Sequence, residues 1–390
     1  MKIRASRISD SILIAVSSEE PDPTHQKISR SKRLLKLIFA FFSLFKLLLT
    51  RYRRPEFRSL RKDVWRLDER EYLASFQQND SNESTGEEER EQQQSEPSDH
   101  GKGKGKGRQT ARLEPMGDLG YSGSTFFTTP NGKYLIKSLP RRFEYKFFTE
   151  DLLDPYVHHM RANPRSLLVR ITDVVHAPHP TLGGLLGIAP THHIIMENLL
   201  YGRDAEGGRF SNKWETYDLK PNDYFFPERD IADGRLAPES VKDKLVDEFH
   251  DRVRVSAADK RELVRLLEAD TRLLADRDAI DYSLFLVRYP GPRAATDDGA
   301  DGAVPQNVPF IESDASAWRT GLVDADGKWT YRVVVLDFFW ARHTFRAWAL
   351  TGLVKSFNKV AHKGPMSITA NPTDYRKRFL KMIDDIVIDV

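Results

Sequence analysis

Asp337 constrains this chain more than any other residue. It stands between Val333-Val334-Val335-Leu336 and Phe338-Phe339-Trp340. A run this apolar belongs in an interior and reads as a strand. A carboxylate there is costly unless it is paired or bound to a cation. The fold must therefore bring positive charge to Asp337, and Mg²⁺ is the natural counter-ion for such a group.

The remaining signals describe a mixed core. Two short β-like runs, 124–129 and 133–137, flank Pro130-Asn131-Gly132, a hairpin signal. Further strands are expected over 167–175, 185–188, 193–196, 214–219, 283–288 and 331–336. Helices are expected over 57–76 (as a pair), 142–160, 344–360 and 372–387. The helix over 256–276 has the clearest pattern. Ser256 is its N-cap and Asp259 follows three residues on. Leu263, Leu266, Leu267, Leu273 and Leu274 form its apolar stripe. Helices with a mostly antiparallel sheet give an α+β class. Two stretches have almost nothing to bury: the low-complexity insertion 77–112 and the Gly, Asp and Pro-rich loop at about 290–313. Both are expected to be disordered.

Charge is uneven along the chain. Residues 1–54 hold twelve Lys or Arg against four Asp or Glu, although the whole chain carries only +3. A basic end on a slightly acidic body points to an anionic partner. Within the basic segment 1–50, residues 34–50 read as an amphipathic helix with Lys36 and Lys46 on one stripe. Such a helix suits a bilayer interface, with its lysines reaching up to phosphates. A core helix packed on the domain is the competing reading. A membrane span needs ~20 apolar residues and is disfavoured. The greasy centre of this segment is unlike a nucleic-acid-binding arm, so no nucleic acid is expected. The first twenty residues do not read as a secretory signal. The absence of cysteine excludes disulfides, zinc–thiolate sites and cysteine nucleophiles, and fits a reducing cytosolic compartment.

Phosphoryl transfer needs backbone amides over phosphates, a lysine on them, carboxylates for Mg²⁺ and a carboxylate near the attacking hydroxyl. Each has a candidate here. Gly120-Tyr121-Ser122-Gly123-Ser124 opens the hairpin with small residues. Lys137 ends the hairpin's second strand, and Glu144 on the following helix is placed to pair with it. Asp281 lies in Ile280-Asp281-Tyr282-Ser283-Leu284, between a helix and a strand, and reads as a catalytic carboxylate or a turn cap. The pairs His158-His159 and His192-His193 are discounted as metal ligands, because neighbouring strand residues point apart.

Together these residues resemble the phosphatidylinositol phosphate kinases. Phe57-Arg58-Ser59-Leu60-Arg61 with Tyr72-Leu73 looks like the start of that domain. Tyr121-Ser122-Gly123-Ser124-Thr125-Phe126-Phe127 is similar to its glycine-rich loop. Leu135-Ile136-Lys137, Asn163-Pro164-Arg165-Ser166-Leu167-Leu168, Ile195-Met196-Glu197-Asn198-Leu199, Tyr217-Asp218-Leu219-Lys220, Ile280-Asp281-Tyr282-Ser283-Leu284 and Val335-Leu336-Asp337 follow in the family's order. The endings 335–343, 365–369 and 375–379 look most like the fungal branch of domain-only proteins.

The resemblance implies a two-lobed, kinase-like fold with a flat membrane-facing surface, the catalytic part spanning 51–76 and 113–390. It implies use of ATP and Mg²⁺. Ser122, Gly123, Ser124, Lys137, Glu144, Met196, Asn198, Leu199, Asp218 and Lys220 would contact the nucleotide, with Asp281 catalytic and Asp337 holding the metal. Arg342, His343, Arg346, Lys355, Lys359 and Lys363, interleaved with Trp340, Phe345, Trp348 and Phe357, would meet a phosphoinositide and the anionic membrane. The implied activity is that of a phosphatidylinositol 4-phosphate 5-kinase, cytoplasmic and peripheral to the membrane. The alternative is a pseudokinase that binds ATP or phosphoinositide and transfers nothing. Two departures stand out: Pro221-Asn222 replaces the family's usual Gly-Ser, and Arg342-His343 its usual lysine pair.

Overall fold

A computed structural model describes residues 2–18, 41–42, 44–77, 112–116, 124–203, 213–221, 249–297, 315–341 and 371–390. The chain opens with α1 (Lys2–Ser17). Its Ile8, Ile12, Ala15 and Val16 are buried, at the spacing that puts them on one helix face. They pack on Leu47, Leu49, Phe127, Ile136 and Val175.

The first sheet has β1 (Thr50–Arg51), β2 (Glu114–Met116), β3 (Phe126–Thr128), β4 (Tyr134–Ser138), β5 (Ile171–His176) and β6 (His192–Glu197). Its order is β1-β5-β6-β4-β3-β2, with every pairing antiparallel. Gly132 turns the β3–β4 hairpin at φ 70°, a conformation a residue with Cβ adopts reluctantly. Between β1 and β2 lie α2 (Arg54–Ser59), a wide π-helical turn (Leu60–Val64) and α3 (Glu69–Ala74). Asp68 caps α3, accepting from the backbone N–H of Arg70 and Glu71. A buried ion-pair network staples this region to β5. Asp173 meets Arg51 at 2.6 Å and Arg61 at 3.4 Å, and Arg61 also meets Glu69 at 2.8 Å. From β4 the chain enters α4 (Arg142–Lys146), which runs through a second π-helical turn (Phe147–Leu152) into α5 (Leu153–Ala162). A short helix, α6 (Leu182–Leu185), bridges β5 and β6.

The second sheet contains β7 (Glu215–Leu219), β10 (Ser283–Pro290), β11 (Leu322–Val323) and β12 (Trp329–Leu336), in the order β11-β12-β10-β7. It too is antiparallel throughout. A parallel bridge joins the two sheets at Leu168 and Val335. There Val169 N–H donates to Val335 O (2.9 Å) and Val335 N–H to Leu167 O (2.7 Å).

Around the second sheet stand α7 (Ala257–Asp276), α8 (Pro292–Asp297), α9 (Ala317–Thr320) and α10 (Pro372–Ile386). Ser256 caps α7, accepting from the Asp259 N–H. Leu263, Leu266, Leu267 and Leu274 of its expected stripe are buried, with Leu273 partly so. Two small sheets complete the frame: β8 (Val253–Val255) with β14 (Val387–Asp389), parallel, and β9 (Ala279–Ile280) with β13 (Trp340–Ala341), antiparallel.

The α+β class with mostly antiparallel sheet stands. Three local expectations do not. The strand over 185–188 is instead the end of α6 and the turn after it, because Thr181 caps a helix by accepting from Gly184 N–H. The helix over 34–50 does not reach Thr50. Residues 44–49 are non-helical and Thr50–Arg51 joins the sheet, since Leu47 and Leu49 gain more by burial against α1 than on a free helix. The loop at 290–313 begins later than expected: β10 extends to Pro290 and α8 follows, started by Pro292 at its first position. The remaining expectations for 34–40, 78–111, 298–314 and 344–360 lie outside the described residues, as do Ser122, Gly123, Arg342, His343, Arg346, Lys355, Lys359 and Lys363.

Candidate active site

Strand register alone gathers the polar residues of the second sheet. In β10–β12, Ser283 faces Leu336, so Asp281 and Asp337 emerge at the same end. In β10–β7, Leu284 faces Leu219, which brings Lys220 to that end too. β9–β13 then pairs Ile280 with Trp340, fixing the chain on the far side of both aspartates. The first sheet contributes Lys137, from the end of β4.

Two cation–carboxylate pairs result. Lys137 Nζ donates to Asp337 Oδ1, and Lys220 Nζ donates to Asp281 Oδ1 at 2.8 Å. The charge that Asp337 requires thus comes from a residue two hundred positions away in sequence. Lys137 is further held near aromatic faces, 5.5 Å from the Phe126 ring and 5.9 Å from that of Phe339. Asp337 is the more open of the two acids, with 34% of its side chain exposed against 18% for Asp281. It is therefore the one with room for an added ligand.

Both aspartates adopt left-handed backbone, with φ 65° at Asp281 and 63° at Asp337. Asp tolerates this region better than most residues but still pays for it. Strain of this kind, held by surrounding structure, accumulates at functional sites.

The charges set one another's protonation. Burial pushes the Asp281 carboxyl up to about 6, although Lys220 pulls against it and the Asp337 and Asp218 charges reinforce it. Partial burial works to raise Asp337 as well, but Lys137 and Lys220 outweigh it and hold its carboxyl below the usual value. Asp218 is raised by burial, with Lys220 opposing. Burial lowers Lys220, but the Asp281, Asp218 and Asp337 carboxylates more than reverse it. The result is a proton-accepting carboxyl poised near neutrality beside one locked in its anionic form.

No three carboxylate or histidine groups among the described residues form a ready-made metal cluster. The donor set nevertheless fits Mg²⁺, which takes one or two carboxylates and completes its shell with phosphate oxygens and water. Asp337 and Asp281 supply that number.

Other expected residues are placed differently. Glu144 is buried and forms no ion pair with Lys137. Its carboxylate accepts from the Arg141 N–H at 3.3 Å and lies 3.8 Å from the Arg141 guanidinium. Burial raises its pKa, with Arg141 and Lys137 acting against the rise. Strand register carries Lys137 to Asp337 instead, although Glu144 is the more deeply buried of the two carboxyls. Asn198 spends its amide on the frame, donating to Gly132 O at 2.8 Å and accepting from Leu200 N–H at 3.0 Å. Met196 and Leu199 are buried beside it. Ser124 is buried where the chain enters β3.

Three of the four paired histidines sit in structural surroundings. His159 bonds Asp270 at 2.6 Å, His192 stacks on Tyr145 at 3.5 Å, and burial keeps His193 neutral by lowering it to about 3. Sequence reasoning missed Phe126 and Phe339 around Lys137. It also missed Arg141, whose guanidinium lies 5.0 Å from the Trp340 ring and steadies the chain after Asp337. Only a contact across elements identifies them, and no local pattern encodes it.

Comparison with known proteins points to one family. The family model described as Phosphatidylinositol-4-phosphate 5-Kinase matches residues 107–386. The chain is similar to a phosphatidylinositol 4-phosphate 5-kinase of Plasmodium falciparum, at 26% identity over 295 residues, covering 68% of this chain and 15% of that protein. It is also similar to human phosphatidylinositol 4-phosphate 5-kinase type-1 beta, at 26% identity over 212 residues, covering 54% of this chain and 35% of that one. The matched part thus spans roughly a third or less of these relatives' length.

Proposed function

We propose, given that this chain belongs to the phosphatidylinositol-4-phosphate 5-kinase family, that it transfers the γ-phosphoryl group of ATP to a ring hydroxyl of a phosphoinositide at a membrane surface. The observation that carries this reading is the meeting of Lys137, Lys220, Asp281 and Asp337 at one end of the second sheet. Lys137 and Lys220 neutralise nucleotide phosphates. Asp281 accepts the proton of the attacking hydroxyl as the new P–O bond forms and ADP leaves. Asp337, with Asp281 beside it, would hold Mg²⁺, which would screen the charge on the transferring phosphate. The pairing of Lys137 with Asp337 keeps both charges satisfied; Lys137 would turn to the nucleotide phosphates and Asp337 to the metal. Phosphatidylinositol 4-phosphate is the preferred substrate, as the names of the relatives suggest. The basic stretch 30–54 and the cations of 342–363 hold the enzyme on anionic lipid, at about 1 kcal/mol per cation near the surface.

The test uses the full chain, Mg·ATP and vesicles each carrying a single phosphoinositide isomer, with lipid products resolved. The expected result is phosphorylated lipid from the wild type, most from phosphatidylinositol 4-phosphate, and a loss of at least 100-fold in Asp337→Asn, on the order found for removal of an electrostatic stabiliser. Absence of product on every isomer, with nucleotide binding intact, would transfer the protein to the pseudokinase class.

A further inference from the structure

A cavity of about 20 Å³ lies at the junction of the two sheets, lined by Arg170, Glu197, Leu199, Arg319 and Arg332 among others. Its three arginines come from three places: Arg170 just before β5, Arg319 in α9 and Arg332 in β12. All are buried, with 1%, 6% and 4% exposure. Glu197 is the acid in the lining.

The hydrogen bonds here do not balance. Glu197 Oε1 accepts from Arg319 Nη1 and from the Arg170 backbone N–H. Arg319 Nη2 donates to Ser166 O (2.5 Å) and Leu168 O (2.8 Å). Arg332 Nη1 donates to Leu199 O (3.0 Å) and Tyr201 O (2.8 Å). Arg170 Nη1 and Arg319 Nε, however, are buried with no protein acceptor. Charge does not balance either. Glu197, the one acid in the lining, pairs with the Arg319 guanidinium, while that of Arg170 donates only to Pro164 O, at 3.5 Å, and an uncompensated buried cation is among the costliest things a fold can contain. Burial, reinforced by Arg319, pushes Arg170 down to about 9, although Glu197 opposes this. An arginine normally keeps its proton far above that value.

A water molecule would satisfy the two N–H groups but leave the charge. A cavity of this size holds an occupant of about one water, too small for phosphate or a nucleotide. We infer that it binds one monovalent anion of the halide class, held by Arg170 Nη1 and Arg319 Nε. Such an ion would tie 197–199, on the first sheet, to α9 and β12, on the second. The inference stands apart from the kinase reading, since it invokes neither nucleotide nor lipid.

The test compares thermal midpoints of the full chain in sodium chloride, sodium bromide and sodium gluconate at matched ionic strength, with ³⁵Cl line width as a direct readout of binding. Gluconate is too large for the cavity. Nonspecific salt effects favour the more strongly hydrated anions, so saturable stabilisation by bromide runs against that ranking. The expected result is a midpoint about 2–4 °C higher in either halide at ten times its dissociation constant. Line broadening that bromide displaces is also expected. Arg170→Met should abolish both effects and leave only the nonspecific ranking of the three salts. Equal wild-type midpoints with no displaceable broadening would overturn the proposal, as would halide dependence that survives in Arg170→Met. Should that variant not fold, the wild-type comparison decides alone.

Discussion

At the residue scale, the two aspartates behave oppositely although each is paired with a lysine. Asp281 is the more enclosed, and burial wins, placing its carboxyl at about 6. Asp337 is more open and feels both lysines, so it stays ionised. The acid limb of kcat/KM should therefore fall at about pH 6, where Asp281 loses its proton-accepting form. A pH–rate profile flat down to pH ~4.5 would remove Asp281 from that role. The same shift has a sign for stability. Folded Asp281 binds its proton more tightly than the unfolded residue, so its ionisation weakens the fold as pH rises from about 4 to about 6. Asp337 contributes stability at neutral pH and loses it as pH falls through its lowered value. Urea midpoints should thus decline less between pH 4 and 6 in Asp281→Asn than in wild type. Identical slopes would mean that this carboxyl is not perturbed.

At the element scale, the pieces before the hairpin are held by two different forces. The π-helical turn and α3 are stapled to β5 by charge. Asp173 is fully buried against Arg51 and Arg61. Asp173→Asn would leave two buried guanidiniums short of a partner and should cost about 3–5 kcal/mol in denaturant titration. A cost below ~1 kcal/mol would show that the network is incidental to folding. Residues 44–49 are instead held by close packing. A Cβ on Gly183 would sit 1.9 Å from Leu44 O, a backbone atom that cannot swing away. Gly183→Ala should destabilise by about 1–3 kcal/mol and raise hydrogen exchange at Leu47, whose N–H donates to Ser11 Oγ at 3.1 Å. Unchanged exchange there would mean that the 44–49 segment is not docked against α6.

At the scale of the whole molecule, the N-terminal segment has two parts. One part is core: α1, Leu47 and Leu49 close one face of the first sheet. The other is charge, concentrated in Arg30, Lys32, Arg33 and Lys36. No helix among the described residues is long and apolar enough to cross a membrane. Replacing these four with glutamine should weaken binding to anionic vesicles strongly at low salt. The difference should shrink once the screening length drops below about 8 Å. A loss of affinity independent of salt would point to a packing role for this segment instead.

Much of this fold was legible in the sequence, because its signals are local. The β3–β4 hairpin follows from Asn131-Gly132, and α7 from Ser256 and its leucine stripe. Asp337 announced its need for a cation through its apolar neighbours alone. What the sequence left open was which cation: Glu144 was the nearer partner for Lys137 along the chain, yet Lys137 crosses to Asp337. That choice depends on strand register and on the Leu168–Val335 bridge between the sheets, both set by packing between residues far apart in sequence. The arginine cavity was invisible for the same reason. Its charges lie on three separate elements, and only their common burial makes them one site.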